Sequence, residues 1–132
     1  MDISPNKIGF VIVRARSLSI KVGRWDRAGD DADSDTIYES RSSDATGREL
    51  ESFIRNLNDD EKAALVAIMW IGRDTFSADD YDEAFETAKQ EASVPTETYL
   101  MGVPLLADYL EDGLESLGVD TSELEGELYR KA

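Results

Sequence analysis

The chain contains no cysteine and no histidine. Without cysteine there is no disulfide, no zinc–thiolate centre and no thiol nucleophile, and nothing points to an oxidising compartment. Without histidine the Ser-His-Asp and Cys-His mechanisms, the common imidazole metal sites and the usual proton shuttle near neutral pH all fall away. Carboxylates, lysine, tyrosine, serine and threonine remain, so catalysis is not excluded, but the balance leans away from an enzyme. Gly23, Gly29 and Gly47 are too scattered to form a phosphate-cradling loop, and no cofactor is expected. Long apolar runs are missing too. The longest, Ala63 to Ile71, is about half of a membrane span. The N-terminus, Met1-Asp-Ile-Ser-Pro-Asn-Lys7, lacks the basic stretch and apolar core of a signal peptide. A cytoplasmic protein without a membrane partner is the expectation.

What is abundant is negative charge. The 132 residues include 29 acidic and 14 basic ones, a formal net charge of −15. Residues 1–27 hold six basic residues against Asp2 and Asp26, a net of +4, which leaves −19 for the remainder. Charge of this sign repels phosphate backbones, so direct nucleic-acid binding is not expected. A solubilising surface, a docking surface for a basic protein and a mimic of nucleic acid all remain compatible with it.

The length suits one domain, 1–132, able to bury roughly 68% of the surface its unfolded chain exposes. Ser4-Pro5 pairs a capping hydroxyl with a proline at the first helical position. Ile8, Val11, Ile12 and Ala15 follow at helical spacing, with Phe10 and Val13 widening the face. Leu18, Ile20 and Val22 alternate, so the helix is expected to end near residue 17 and give way to extended chain, with a strand as the alternative. Residues 23–43 lose all periodicity and read as a mobile acidic loop, pinned at most by Trp25, Ile37 and Tyr38.

Helical order then returns. Thr46 with Glu49 forms a capping-box pattern ahead of Leu50, Phe53, Ile54 and Leu57, and Asn58 with Glu61 forms a second one. The helix after it, ending at Gly72 as a left-handed terminator, is apolar almost all round and is predicted to be the central buried helix. Ser77 with Asp80 opens a third, with Tyr81, Ala84, Phe85 and Ala88 inward and Asp79, Asp82, Glu83 and Glu86 outward. Pro95 bounds it, and Thr96 starts a short segment to Gly102. Pro104 begins a longer helix whose stripe is Leu105, Leu106, Tyr109, Leu110, Gly113, Leu114 and Leu117, closed by Gly118. That stripe would serve a homodimer or an intramolecular core equally well, so the oligomeric state stays open. Ser122 with Glu125 suggests a last helix within 119–132 that docks or frays. The fold class is therefore all-α: a compact bundle of about five or six helices with one long acidic loop after the first.

Two stretches carry a family resemblance as a pair: Leu65-Val-Ala-Ile-Met-Trp-Ile-Gly-Arg-Asp74, and Tyr99-Leu-Met-Gly-Val-Pro-Leu-Leu-Ala-Asp-Tyr-Leu-Glu-Asp-Gly-Leu114. With the Ile3-Ser-Pro opening they resemble the DUF3775 family of short bacterial proteins, found mainly in proteobacteria. The similarity spans roughly residues 46–118. The resemblance implies a bacterial cytoplasmic protein and carries no catalytic residues over, because the family's function is unknown.

Candidate sites are few. Asp31-Ala-Asp-Ser-Asp35 opens like a calcium loop, but that geometry needs glycine at the sixth position and glutamate at the twelfth. Thr36 and Ser42 stand there, so no metal site is expected. Trp70 and Arg73 at the end of the buried helix, with Tyr99 and Tyr109 flanking the Gly102-Val-Pro104 break, are the candidate ligand or partner surface. Their structural roles would be core aromatic, helix-end partner and chain-turning residues. Asp108, Glu111, Asp112 and Glu115 form an acidic stripe read as a solvated face. Arg14, Arg16 and Lys21 are expected to pack against the acidic body. The leading functional expectation is a non-enzymatic adaptor for a basic or amphipathic protein partner. The alternatives are an enzyme or small-ligand binder with a pocket near those four residues, and a nucleic-acid mimic.

Overall fold

A computed structural model of the chain describes residues 3–21, 45–91 and 94–119. Among the described residues there are six α-helices, a short 3-10 turn and no strand. The helices are α1 (Pro5–Lys21), α2 (Ala45–Arg55), α3 (Asp59–Gly72), α4 (Tyr81–Gln90), α5 (Thr96–Met101) and α6 (Leu106–Ser116), with the 3-10 turn at Ala78–Asp80. The expected acidic loop at 23–43, the calcium-like Asp31–Asp35 run and the helix expected after Ser122 lie outside the described residues.

The helix–helix contacts run in a closed circuit: α3 packs on α6, α6 on α1, α1 on α2, α2 on α5, and α5 back on α3, with α4 laid against α3. The expected central helix is central. Every residue from Ala63 to Ile71 is buried, which a helix apolar on all sides requires. Its start carries the expected capping box. The Glu61 backbone N–H donates to Asn58 Oδ1 at 2.7 Å, and the Asn58 N–H donates to Glu61 Oε1 at 3.0 Å. Such a cap is worth about 0.5–2 kcal/mol.

Four local expectations are corrected. Helix α1 does not stop near residue 17 but runs to Lys21. Leu18 continues the face of Ile8, Val11, Ile12 and Ala15, all fully buried, so packing against α2 and α6 overrides the β-branched propensity of the stretch. Helix α2 opens at Ala45, so Thr46 lies inside its first turn rather than capping it. The residue with left-handed backbone after α3 is Asp74 (φ 68°), not Gly72. The Asp74 N–H donates to Ile71 O at 3.0 Å and the Thr75 N–H to Trp70 O at 2.9 Å, the paired reverse bonds of a Schellman ending. Helix α6 starts at Leu106, with Pro104 and Leu105 in the preceding turn. Leu105 therefore leaves the stripe and is 50% exposed, while Leu106, Leu110 and Leu114 are fully buried within the chain's own core. Gly118 ends α6 as expected, with φ 87° and reverse bonds from its own N–H to Glu115 O and from Val119 to Leu114 O.

The basic N-terminal helix is spent on the acidic body. Lys7 pairs with Glu61, Arg14 with Glu49 at 3.3 Å, and Arg16 with Glu111 at 3.2 Å and Asp108 at 3.6 Å. Arg14 also lies 5.0 Å over the Phe10 ring, and Phe10 meets Phe53 of α2 at 4.4 Å. No helix among the described residues is long and apolar enough to cross a membrane.

Candidate functional site

Helices α3 and α6 meet backbone to backbone. A Cβ placed on Gly72 would lie 1.7 Å from Tyr109 O and 2.9 Å from Gly113 N, and one on Gly113 would lie 2.1 Å from Ile68 O. Only glycine permits this approach, because carbon atoms in contact sit about 3.5–4.0 Å apart. The crossing fixes the end of α3, and with it Trp70 and the Arg73–Thr75 turn.

Trp70 is 8% exposed, and its indole Nε1 donates to the Tyr99 hydroxyl at 3.1 Å. That bond ties the end of α3 to α5. Phe76, delivered by the left-handed turn at Asp74, lies 5.7 Å from the Trp70 ring. Beside the Trp70–Tyr99 pair a cleft of about 290 Å³ opens between α3, the end of α4 and the start of α5. Val66, Trp70, Ala88 and Val94 supply its apolar lining, and Glu91, Thr96 and Tyr99 its polar groups.

The candidate residues from the sequence divide. Trp70 and Tyr99 come together and line the cleft. Arg73 does not line it; it is exposed, and its Nε donates to Thr75 Oγ1 at 3.2 Å. Tyr109 does not line it either, being half-buried against the core with its carbonyl under Gly72. The residues that sequence reasoning missed are Val66, Ala88, Glu91, Val94 and Thr96. Val94 is the one with a signal of its own, an apolar residue stranded just before the helix-breaking Pro95, and it is 49% exposed.

The Met-Trp-Ile-Gly72 and Asp-Tyr-Leu-Glu-Asp-Gly113 segments are the two halves of the glycine crossing. A family model described as "Protein of unknown function (DUF3775)" matches residues 47–119, more than half of the chain. The chain belongs to the DUF3775 family. The match begins inside α2 and ends with the reverse turn after α6, so the DUF3775 region contains the crossing, the Trp70–Tyr99 bond and the whole cleft. Helix α1, which completes the circuit by bridging α6 and α2, lies before it. No curated protein and no solved structure matches the chain.

Electrostatics around the cleft are one-sided. Lys89 pairs with Asp60 at 3.1 Å and rides 5.5 Å over the Phe85 ring; the Asp60 carboxylate raises its pKa above the usual 10.5. Arg55 is held by Glu51 at 2.8 Å and Glu97 at 3.2 Å. Asp79, Asp82, Glu83 and Glu86 of the α4 region are exposed, as is Glu91, and none of them makes an ion pair with a described residue. Among the described residues no three potential ligands gather to hold a metal ion.

Proposed function

We propose that the protein is a binding module for a basic protein partner, acting in the bacterial cytoplasm without catalysing a reaction. The supporting observation is where the charges go. Lys7, Arg14, Arg16, Arg55 and Lys89 are all engaged by carboxylates of the chain itself. The carboxylates along α4 and its flanks face solvent beside an apolar cleft. An acidic face next to an apolar opening complements a cationic amphipathic helix, whose apolar residues and lysines would meet both. The same acidic excess disfavours phosphate backbones, and the lack of cysteine agrees with a reducing compartment.

The test is calorimetric titration with a lysine-rich amphipathic 20-residue peptide at low and high salt, beside the same peptide with glutamine for lysine. Micromolar affinity lost at high salt and absent from the glutamine peptide supports the module, because exposed charge pairs are screened within about 10 Å at 0.1 M salt. The triple substitution Asp82→Asn, Glu83→Gln, Glu86→Gln should weaken binding about tenfold or more, at roughly 1.4 kcal/mol per decade. Equal binding of the two peptides, or no binding of either, would overturn the proposal.

A further inference from the structure

We propose that the Trp70–Tyr99 cleft is a receptor for one side chain of defined chemistry: an alkyl-ammonium, the lysine of a basic partner, with its stem against the apolar wall and its head at Glu91. The inference deepens the reading above and rests on it for the partner, while the chemistry of the cleft stands separately.

Size is the first argument. At about 290 Å³ the cleft lies at the small end of ligand pockets, about 300–1,000 Å³, with room for a single long side chain. The second argument is the layout of the lining. Val66, Trp70, Ala88 and Val94 offer a continuous apolar wall, which matches the methylene stem of a long cation.

The third argument concerns the polar groups. The Tyr99 oxygen already accepts the Trp70 N–H, so what its hydroxyl has left to offer a ligand is chiefly its proton. Thr96 adds a neutral hydroxyl. Glu91 places a carboxylate on the lining, whose oxygens accept hydrogen bonds. Among the described residues no basic one lines the cleft. Of the described cations next to the lining residues in sequence, Lys89 is directed to Asp60 and Arg73 to Thr75. An anion would therefore meet a like charge with only the Tyr99 and Thr96 hydroxyls to offset it, and a neutral ligand would leave Glu91 unused. An ammonium head satisfies it.

Free probes isolate this from the rest of the acidic surface. Pentylamine and pentan-1-ol have the same length and differ in the charged head. Each is titrated into the isotopically labelled full chain while amide and indole shifts are followed by NMR. Pentylamine should saturate at a dissociation constant of about 1–10 mM, as its few heavy atoms allow. Its shifts should cluster at Val66, Trp70, Ala88, Glu91, Val94, Thr96 and Tyr99. Pentan-1-ol should bind about three- to fivefold more weakly, the scale of one partly screened ion pair. Glu91→Gln should erase that difference, whereas Glu86→Gln, which removes the same charge from α4 outside the cleft, should keep it. Equal affinity of the two probes for the unmodified chain would overturn the proposal, as would pentylamine shifts spread over the acidic surface without saturation. If the probes fail and the lysine-rich peptide still binds, the acidic module survives and the receptor cleft does not. If pentylamine binds selectively and the peptide does not bind, the receptor cleft survives and the acidic module does not.

Discussion

Replacing Gly72 by alanine sets two effects of known sign against each other. By helix propensity alone, alanine inside α3 is better than glycine by about 1 kcal/mol. By packing, its Cβ would sit 1.7 Å from Tyr109 O and 2.9 Å from Gly113 N, both backbone atoms that cannot rotate away. Relief requires α3 and α6 to part by more than about 1 Å, and close-packed interiors transmit such a shift to their neighbours. Here those neighbours include the fully buried Ile68, Leu110 and Leu114. Overpacking costs about 1–3 kcal/mol and occasionally more. Because the obstacle is backbone, the upper end of about 3 kcal/mol or more applies, and the net loss after the propensity gain is about 2 kcal/mol or more. For a chain of this size that lowers Tm by roughly 10 °C. Gly113→Ala, 2.1 Å from Ile68 O, should cost a similar amount. The double substitution should cost less than the two together, since one separation of the helices relieves both. Gly118→Ala is the control: a Cβ there meets open space, so only its φ of 87° is penalised, by about 1–2 kcal/mol. Urea denaturation followed by far-ultraviolet circular dichroism measures all four. A Gly72→Ala protein as stable as the parent, or more so, would refute the backbone crossing.

Four further outcomes follow from the packing, the charge network and the composition. Leu106→Ala should cost about 2–5 kcal/mol and Leu105→Ala less than about 0.5 kcal/mol by the same denaturation, although both residues sit on one sequence stripe. Asp74→Gly should stabilise the chain by about 0.5–1 kcal/mol, because glycine takes the left-handed backbone without penalty and removes a carboxylate from the C-terminal end of α3. The Lys7 ammonium and then the Asn58 N–H lower the Glu61 pKa from 4.5, against an opposing effect of burial. A depressed carboxylate stabilises above its unfolded pKa and loses that contribution as pH falls through the folded value. The stability gap between the parent and Glu61→Gln should thus be constant above about pH 5.5 and close below about 4.5, read from thermal melts. With no histidine or cysteine in the chain, stability of the parent should be nearly flat between about pH 6 and 9.

Much of the bundle was legible because it is written in local periodicity. The all-round apolar run of α3, the Asn58–Glu61 cap and the Gly118 ending all appear where sequence spacing puts them. Two of the misreadings, at Gly72 and at the end of α1, share a cause: they concern residues whose role is set by another helix. Gly72 reads as a terminator because the chain turns after it, yet what demands glycine is the Tyr109 carbonyl, 37 positions away in the sequence. A glycine inside an otherwise strong helical run, repeated at Gly113, was the available signal. Helix α1 outlasts its propensity because Leu18 completes a face buried by α2 and α6. Leu105 belongs to the apolar pattern, but the turn at Pro104 rotates it outward. Of the site, the Trp70–Tyr99 partnership was visible in outline. Glu91 was not, since an exposed acid in an acidic sequence stands out only when the fold brings it to an opening, while the lone Val94 before Pro95 was a signal that went unused.

The central claim is that the α4 carboxylates and the Trp70–Tyr99 cleft form one binding surface for a basic segment. Amide shift mapping of the labelled chain against the lysine-rich peptide tests it most directly. The account predicts a continuous footprint over the described part of residues 82–99, with the Trp70 indole N–H shifting in step. A footprint confined to α1 and α2, or shifts on α4 with Trp70 and Tyr99 unmoved, would contradict it.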